Sequence, residues 1–162
     1  LLVPRHPERG DAVADLVTQA GMTMARRTSQ DRITPQTQVY LADTLGETGT
    51  WYALTPLVFL GGSLLPIGGH NPYEVAQAGA TVLTGPHVSN FTETFAPLIA
   101  SGGAVEIRNA AELAAAIDHL LRDPADLKAA CAAATAFVGQ QQSKLDGVID
   151  SLCDGLGLTP DG

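Results

Sequence analysis

The order of elements along these 162 residues predicts an α/β fold, a Rossmann-like doubly wound parallel sheet. Three observations carry that prediction. Short apolar runs alternate with helical patterns along nearly the whole chain. The runs are short and mainly apolar, as strands covered on both faces require. Several of the turns that follow them carry helix-cap signatures, the order that βαβ units produce.

Taken in order, residues 1–4 read as a strand and 11–20 as a helix with Val13, Leu16 and Val17 on one face. Residues 22–25 and 39–42 read as short strands, separated by a polar loop over 26–38. A helix over 46–53 precedes the buried strand 57–60. After a glycine-rich loop comes a helix over 72–78, closed by Gly79 at the position where a left-handed C-terminal cap favours glycine. Strand 81–84, helix 91–100 and strand 104–107 complete the alternation. Residues 111–121 and 125–138 are helices rich in alanine and leucine, the second introduced by Pro124. A last amphipathic helix covers 143–156, with Val148, Ile149, Leu152 and Leu156 at helical spacing. There is no internal repeat.

The length suits one domain with a sizeable core, and 45% hydrophobic residues is ordinary for a globular chain. A net charge of -8 argues against this domain gripping nucleic acid or an anionic membrane surface by itself. A local basic pocket for a small anion stays open. Cys131 and Cys153 lie in helical contexts without CxxC or histidine spacing, and read as small core residues in a reducing compartment. The most apolar stretch, 54–65, is broken by Pro56, Gly61 and Gly62 and is too short to span a bilayer. No signal-peptide pattern is visible. The chain opens on Leu1-Leu2-Val3, inside what reads as a strand, and so reads as a piece of a longer protein.

The densest local signal is the run from Gly61 through Gly62, Ser63, Gly68, Gly69, His70, Asn71 and Pro72 to Glu74. Asn71 suits a helix cap, Pro72 the first helical position, and Glu74 the place from which a capping-box carboxylate reaches back. A glycine loop running into a helix N-terminus offers free N–H donors to a phosphate or carboxylate. Alone, it reads first as a strand-to-helix turn. It is joined by two further cap-like loops, Thr44-Leu45-Gly46-Glu47 and Asn90-Phe91-Thr92-Glu93, and by Pro4-Arg5-His6-Pro7-Glu8-Arg9 after the first strand. In a parallel sheet such loops share the carboxyl edge, where ligands bind. Cations and amides there suit phosphate, and a carboxylate suits ribose hydroxyls.

Six motifs in order carry a resemblance: Pro4–Arg9 (Pro-Arg-His-Pro-Glu-Arg), Arg26-Arg27-Thr28-Ser29, Asp43-Thr44-Leu45-Gly46-Glu47, Phe59-Leu60-Gly61-Gly62-Ser63, Gly68-Gly69-His70-Asn71-Pro72-Tyr73-Glu74, and Gly85-Pro86-His87 with Asn90-Phe91. Over residues 1–122 the chain resembles the C-terminal half of bacterial 3-deoxy-D-manno-octulosonic acid (Kdo) transferases, which are similar to other GT-B glycosyltransferases. The resemblance implies a CMP-Kdo binding domain over 1–139, with its first strand and helix missing, and a C-terminal helix and tail over 140–162. It implies transfer of Kdo to a lipid A precursor in lipopolysaccharide synthesis, at the cytoplasmic face of the inner membrane. The acceptor site and the catalytic base would lie in an N-terminal domain outside this chain, so the fragment alone is expected to be inactive. Thr48-Gly49 departs from the family, which usually has larger apolar residues there, and puts the packing of that helix in question.

The expected donor-binding residues are Arg5, His6, Thr44, Gly46, Glu47, Gly62, Ser63, Gly69, His70, Asn71 and Glu74. Arg5 suits a bidentate pair with phosphate or carboxylate, against the alternative of a surface salt bridge. His6 donates to the same phosphate or caps the helix behind it. By the resemblance Glu74 takes the ribose hydroxyls; otherwise it is the capping partner of Asn71. His87 and Asn90 fall outside the immediate contacts, and His119 reads as surface. No catalytic residue, cofactor or metal site is expected within the chain. The alternatives are another GT-B enzyme, a UDP-sugar transferase or an epimerase, and a non-catalytic nucleotide-binding module.

Overall fold

Two sheets form, one of two strands and one of three, and within each the strands pair in parallel with their neighbours in sequence, so every connection inside a sheet must cross back along it. The computed structural model describes residues 1–156 and divides the chain into two compact units, Leu1–Thr50 and Trp51–Gly162.

In the first unit, β1 (Met24–Arg26) and β2 (Val39–Leu41) pair with Met24 opposite Val39 and Arg26 opposite Leu41. The helix α1 (Gly10–Gln19) follows a 3-10 turn at Pro7–Arg9 and buries Val17. The segment expected as a first strand is reduced to one parallel bridge, Leu2 with Leu41. Its backbone bonds are the Leu2 amide to Tyr40 (2.9 Å) and the Ala42 amide to Leu2 (2.8 Å). Pro4, which has no N–H, stops the ladder from extending. Ala25, Leu41, Ala42 and the carboxylate-bearing Asp43 are the most buried residues beside Val17.

The division falls within α2 (Thr48–Ala53). In the second unit the sheet order is β3-β4-β5: β3 (Leu57–Leu60), β4 (Thr81–Thr84) and β5 (Ala104–Glu106). The central strand β4 is buried at every residue. Its two threonines tolerate this because the Thr81 hydroxyl donates to Gly103 O (3.0 Å) and that of Thr84 to Gly85 O (3.2 Å). Around the sheet pack α3 (Tyr73–Gln77), α4 (Thr92–Ala100), α5 (Ala110–Arg122) and α6 (Pro124–Leu156). One core joins Leu60, Val75, Val82, Phe95, Leu98 and Phe137. Each fully buried side chain of this size contributes about 1.5–3 kcal/mol relative to exposure.

Three expectations about local structure are corrected. The helices expected over 125–138 and 143–156 are one 33-residue helix, α6. Gly139 costs only about 1 kcal/mol inside a helix, and the glutamines that follow are good helix formers. Cys131 and Cys153 are half-buried rather than core, and the Cys131 thiol lies 3.2 Å from Pro56 O. Asn90 does not cap α4; a 3-10 turn over Ser89–Phe91 leads into that helix instead. The capping arrangement that does form is at α5, where Asn109 accepts from the Glu112 amide (2.9 Å) and Glu112 accepts from the Arg108 amide (2.9 Å). Asn109-Ala110-Ala111-Glu112 carried that signal in plain view. No helix among the described residues is long and apolar enough to cross a membrane.

Candidate functional site

The expected site residues fall in both units, and each set has its own geometry. In the first unit, β1 and β2 end side by side, so the residues after them emerge together. Arg27 prolongs the ladder through its amide, which donates to Leu41 O (2.9 Å). Asp43 turns inward, with no exposed side-chain surface, and accepts from the Arg26 Nε, from the Thr28 amide (3.1 Å) and from the Thr28 hydroxyl (2.8 Å). Burial alone would raise this carboxyl. The guanidinium of Arg26 and the two Thr28 donors outweigh burial and hold it below its ordinary value. Arg26 also reaches the exposed Asp11 carboxylate (2.6 Å). Gly10 makes room for this cluster, since a Cβ there would lie 2.6 Å from both Arg26 Nη2 and Asp43 Oδ2.

Thr44, Gly46 and Glu47 are brought together at the next step. The Arg27 fork meets Glu47 twice, Nε to Oε2 at 3.1 Å and Nη2 to Oε1 at 2.8 Å. The Thr44 hydroxyl donates to the same Oε2. Arg27 first and Thr44 second pull the Glu47 carboxyl down to about 2. Thr44 therefore serves a carboxylate, where a helix start would have had it accept from an amide. Gly46 sits at φ +80°, a conformation open to glycine at little cost. Arg5 and His6 are exposed, beyond the segment that bridges to β2, with the His6 Nδ1 3.5 Å from Glu8 Oε1. His6 makes no side-chain cap.

In the second unit the glycine loop closes on itself: the Gly69 amide donates to Gly62 O (3.0 Å), with Gly62, Gly68 and Gly69 all at positive φ. Ser63 is fully buried, and its hydroxyl donates to Leu60 O (2.7 Å) while accepting from the Gly85 amide (2.8 Å). The expectation that its side chain meets a ligand is corrected: the hydroxyl pins the loop to the end of β4. Gly85 has no space for a side chain, since a Cβ would lie 2.1 Å from Ser63 O. His70 is half-buried, and its Nε2 would lie 3.4 Å from a Cβ on Gly62. Asn71 accepts from the Tyr73 amide (3.0 Å) at the start of α3, although Pro72 occupies the formal cap position. Glu74 is exposed in the first turn, and among the described residues it does not reach back to Asn71. It lies close enough to Tyr52 to push that phenol up, after burial, the larger cause. His87 and Asn90 are exposed, and Asn90 joins the glycine loop through its amide to Gly68 O (3.2 Å). His119 is exposed beside Asp126, 3.0 Å away. Among the described residues no three His, Cys, Asp or Glu side chains gather so as to hold a metal ion.

The first unit offers exposed cations after its first segment and a restrained loop at the end of β2, and the second unit a restrained loop at the end of β3. It also offers an exposed carboxylate in the first turn of α3. No protein-family model matches the chain. It is 41% identical over 122 residues to the 3-deoxy-D-manno-octulosonic acid transferase of Haemophilus influenzae, a match covering 75% of this chain and 29% of that protein. The enzyme of the same name from Bordetella pertussis is 36% identical over 158 residues, 97% of this chain and 37% of that protein. The crystal structure of the C-terminal CMP-Kdo binding domain of WaaA from Acinetobacter baumannii matches with a TM-score of 0.80 at 32% identity, covering 84% of this chain and 72% of that one. The chain belongs to the Kdo transferase family. The α/β fold with parallel strands is that of the family's C-terminal domain. This family member spans about a third of the length of the curated relatives it matches, 29% and 37% in these two.

Arg26, Arg27, Thr28 and Asp43 stand in the sequence motifs without an expected role. The signal was available. Two arginines just after one strand and two carboxylates just after its neighbour are placed to pair once those strands run parallel.

Proposed function

We propose that this chain is the donor-binding half of a Kdo transferase, which holds CMP-Kdo while Kdo passes to a lipid A precursor. The observation that carries this reading is the likeness to a CMP-Kdo binding domain at 32% identity over 72% of that domain. In the proposed arrangement Arg5 pairs with the phosphate or the Kdo carboxylate, with His6 as a second donor. Gly46 and Glu47 are the nucleotide contacts that the first unit supplies. The loop of Gly62, Gly69, His70 and Asn71 presents amides to the anion, and Glu74 accepts the ribose hydroxyls. Ser63 contributes by shaping that loop.

The reaction is a displacement at the anomeric carbon of Kdo. The acceptor hydroxyl oxygen forms the new bond, its proton passes to a base outside this chain, and the bond to the phosphate oxygen breaks to release CMP. Charge grows on the departing phosphate, so cations and amides already aimed there stabilise the transition state. This chain supplies position and field, and by itself is inactive. The reading places the parent enzyme at the cytoplasmic face of the inner membrane, with the acceptor held by the other domain.

Glu74→Gln in the full-length parent tests the assignment. Neutralising a carboxylate that accepts ribose hydroxyls costs about 1.5–3 kcal/mol per charged hydrogen bond, so donor affinity should fall by at least tenfold with the fold retained. Unchanged affinity with a much lower melting temperature would reduce Glu74 to a helix-end residue. Binding of UDP or UMP in preference to CMP would replace the donor.

A further inference from the structure

We propose that Arg27 is a positioning residue of the donor site: its fork on Glu47 holds loop 43–47 in the shape that receives the nucleotide, without touching the nucleotide. This rests on the donor-site reading above. A carboxylate offers about four acceptor directions. Arg27 and Thr44 fill three of those of Glu47, two on Oε2 and one on Oε1, which fixes the side chain in one orientation. The loop between carries Gly46 at φ +80°, with open space around its missing Cβ, so glycine is there for the backbone turn alone. Arg27 is itself anchored, because its amide is the last rung of the β1–β2 ladder. The chain of restraint thus runs from a strand end, through one guanidinium, to a loop 20 residues away.

Magnitude separates this role from a structural one. The side chains of Arg27 and Glu47 are 43% and 29% exposed, and ion pairs in such surroundings contribute little to stability. The fold does not depend on the pair. The loop conformer does: a loop in its receptive shape one-tenth of the time binds about tenfold more weakly.

The test is a CMP titration of the 162-residue chain followed by NMR shifts, with Arg27→Lys, Arg27→Gln, Glu47→Gln and the double variant Arg27→Gln/Glu47→Gln. Arg27→Lys keeps the charge and removes the fork. Expected are roughly tenfold weaker CMP binding in each variant, no further loss in the double variant, and nearly unchanged thermal midpoints. In Arg27→Gln the Glu47 carboxyl should titrate well above its wild-type value of about 2. Wild-type affinity in Arg27→Lys and Arg27→Gln overturns the proposal. Unfolding of Arg27→Lys overturns it too, since the pair would then carry the fold. A wild-type chain that gives no CMP response overturns the donor reading itself, whereas a wild-type response with unaffected variants overturns only the part assigned to Arg27.

Discussion

Asp43→Asn should be among the most damaging single-atom changes available in the first unit. The carboxylate has no exposed surface and accepts three hydrogen bonds, two at Oδ2 and one at Oδ1. An amide has one oxygen. Placed where Oδ2 was, it keeps weaker bonds to Arg26 and the Thr28 hydroxyl, and turns an NH2 toward the Thr28 amide. Flipped, it satisfies that amide and abandons the guanidinium. Breaking a buried pair from one side costs about 3–5 kcal/mol, and the 22% exposure of Arg26 places this case near about 3. Asp11→Asn is the control: Asp11 pairs with the same guanidinium but is 86% exposed, so its loss should cost less than about 1 kcal/mol. Two compact units need not melt together, so the readout must be local. Hydrogen exchange at the Arg27 amide, bonded to Leu41 O, serves. A cost of about 3 kcal/mol lowers protection roughly a hundredfold. Equal losses in Asp43→Asn and Asp11→Asn would refute the reasoning, because burial would then not be what makes Asp43 costly to change.

Gly85→Ala should destabilise the second unit by about 1–3 kcal/mol or more, since the added Cβ meets Ser63 O at 2.1 Å and backbone cannot give way as a side-chain tip can. A wild-type urea midpoint would contradict it. On acidification the order of titration fixes the sign: Asp43 and Glu47 both sit below their ordinary values when folded, Glu47 at about 2 against 4.5, so the unfolded chain takes up protons first. The stabilisation belongs mainly to the buried Asp43 and is lost as acid protonates it, so an Asp43→Asn chain should show a flatter urea midpoint on acidification, while the half-exposed Glu47 adds little. In α6, the buried residues are Ala134 and Phe137, while Leu145, Val148, Ile149, Leu152 and Leu156 are 47–70% exposed. Amides over 143–156 should therefore exchange faster than those of Tyr73–Gln77, or gain protection with protein concentration; full, concentration-independent protection would show that this stretch is packed in its own core.

Patterns that repeat were legible. The strands 57–60 and 81–84 were read to the residue, because an apolar run between turn residues has few other fates. Helix breaks were less legible: the helices expected over 125–138 and 143–156 are continuous, because one glycine at 139 without a proline does not overcome the propensity of its neighbours. At the site, glycine and cap signals marked loops 44–47 and 61–71, but not what each hydroxyl in them bonds to. Ser63 and Thr44 carry hydroxyls that suit a ligand or a loop equally, and only the fold decides which acceptor is nearer. Arg26, Arg27 and Asp43 become legible as a network only once β1 is set beside β2, because their pairing depends on that one register.

That register explains a division of labour between two neighbouring ion pairs. Arg26 is the last residue of β1 and faces Leu41, so its guanidinium meets Asp43 under the surface, where Gly10 leaves room. Arg27, one residue on, points its fork outward to Glu47 on a loop in front of the strand ends. Alternation along a strand sends consecutive side chains to opposite sides. The inner pair, with its buried carboxylate, is the kind whose loss is felt in stability. The outer pair, half in solvent, is the kind whose loss is felt in the population of a loop. A sequence that places two arginines together at a strand end thereby obtains both effects from one backbone anchor. For this reason the Asp43 and Arg27 substitutions should separate cleanly, the first in unfolding and the second in CMP affinity.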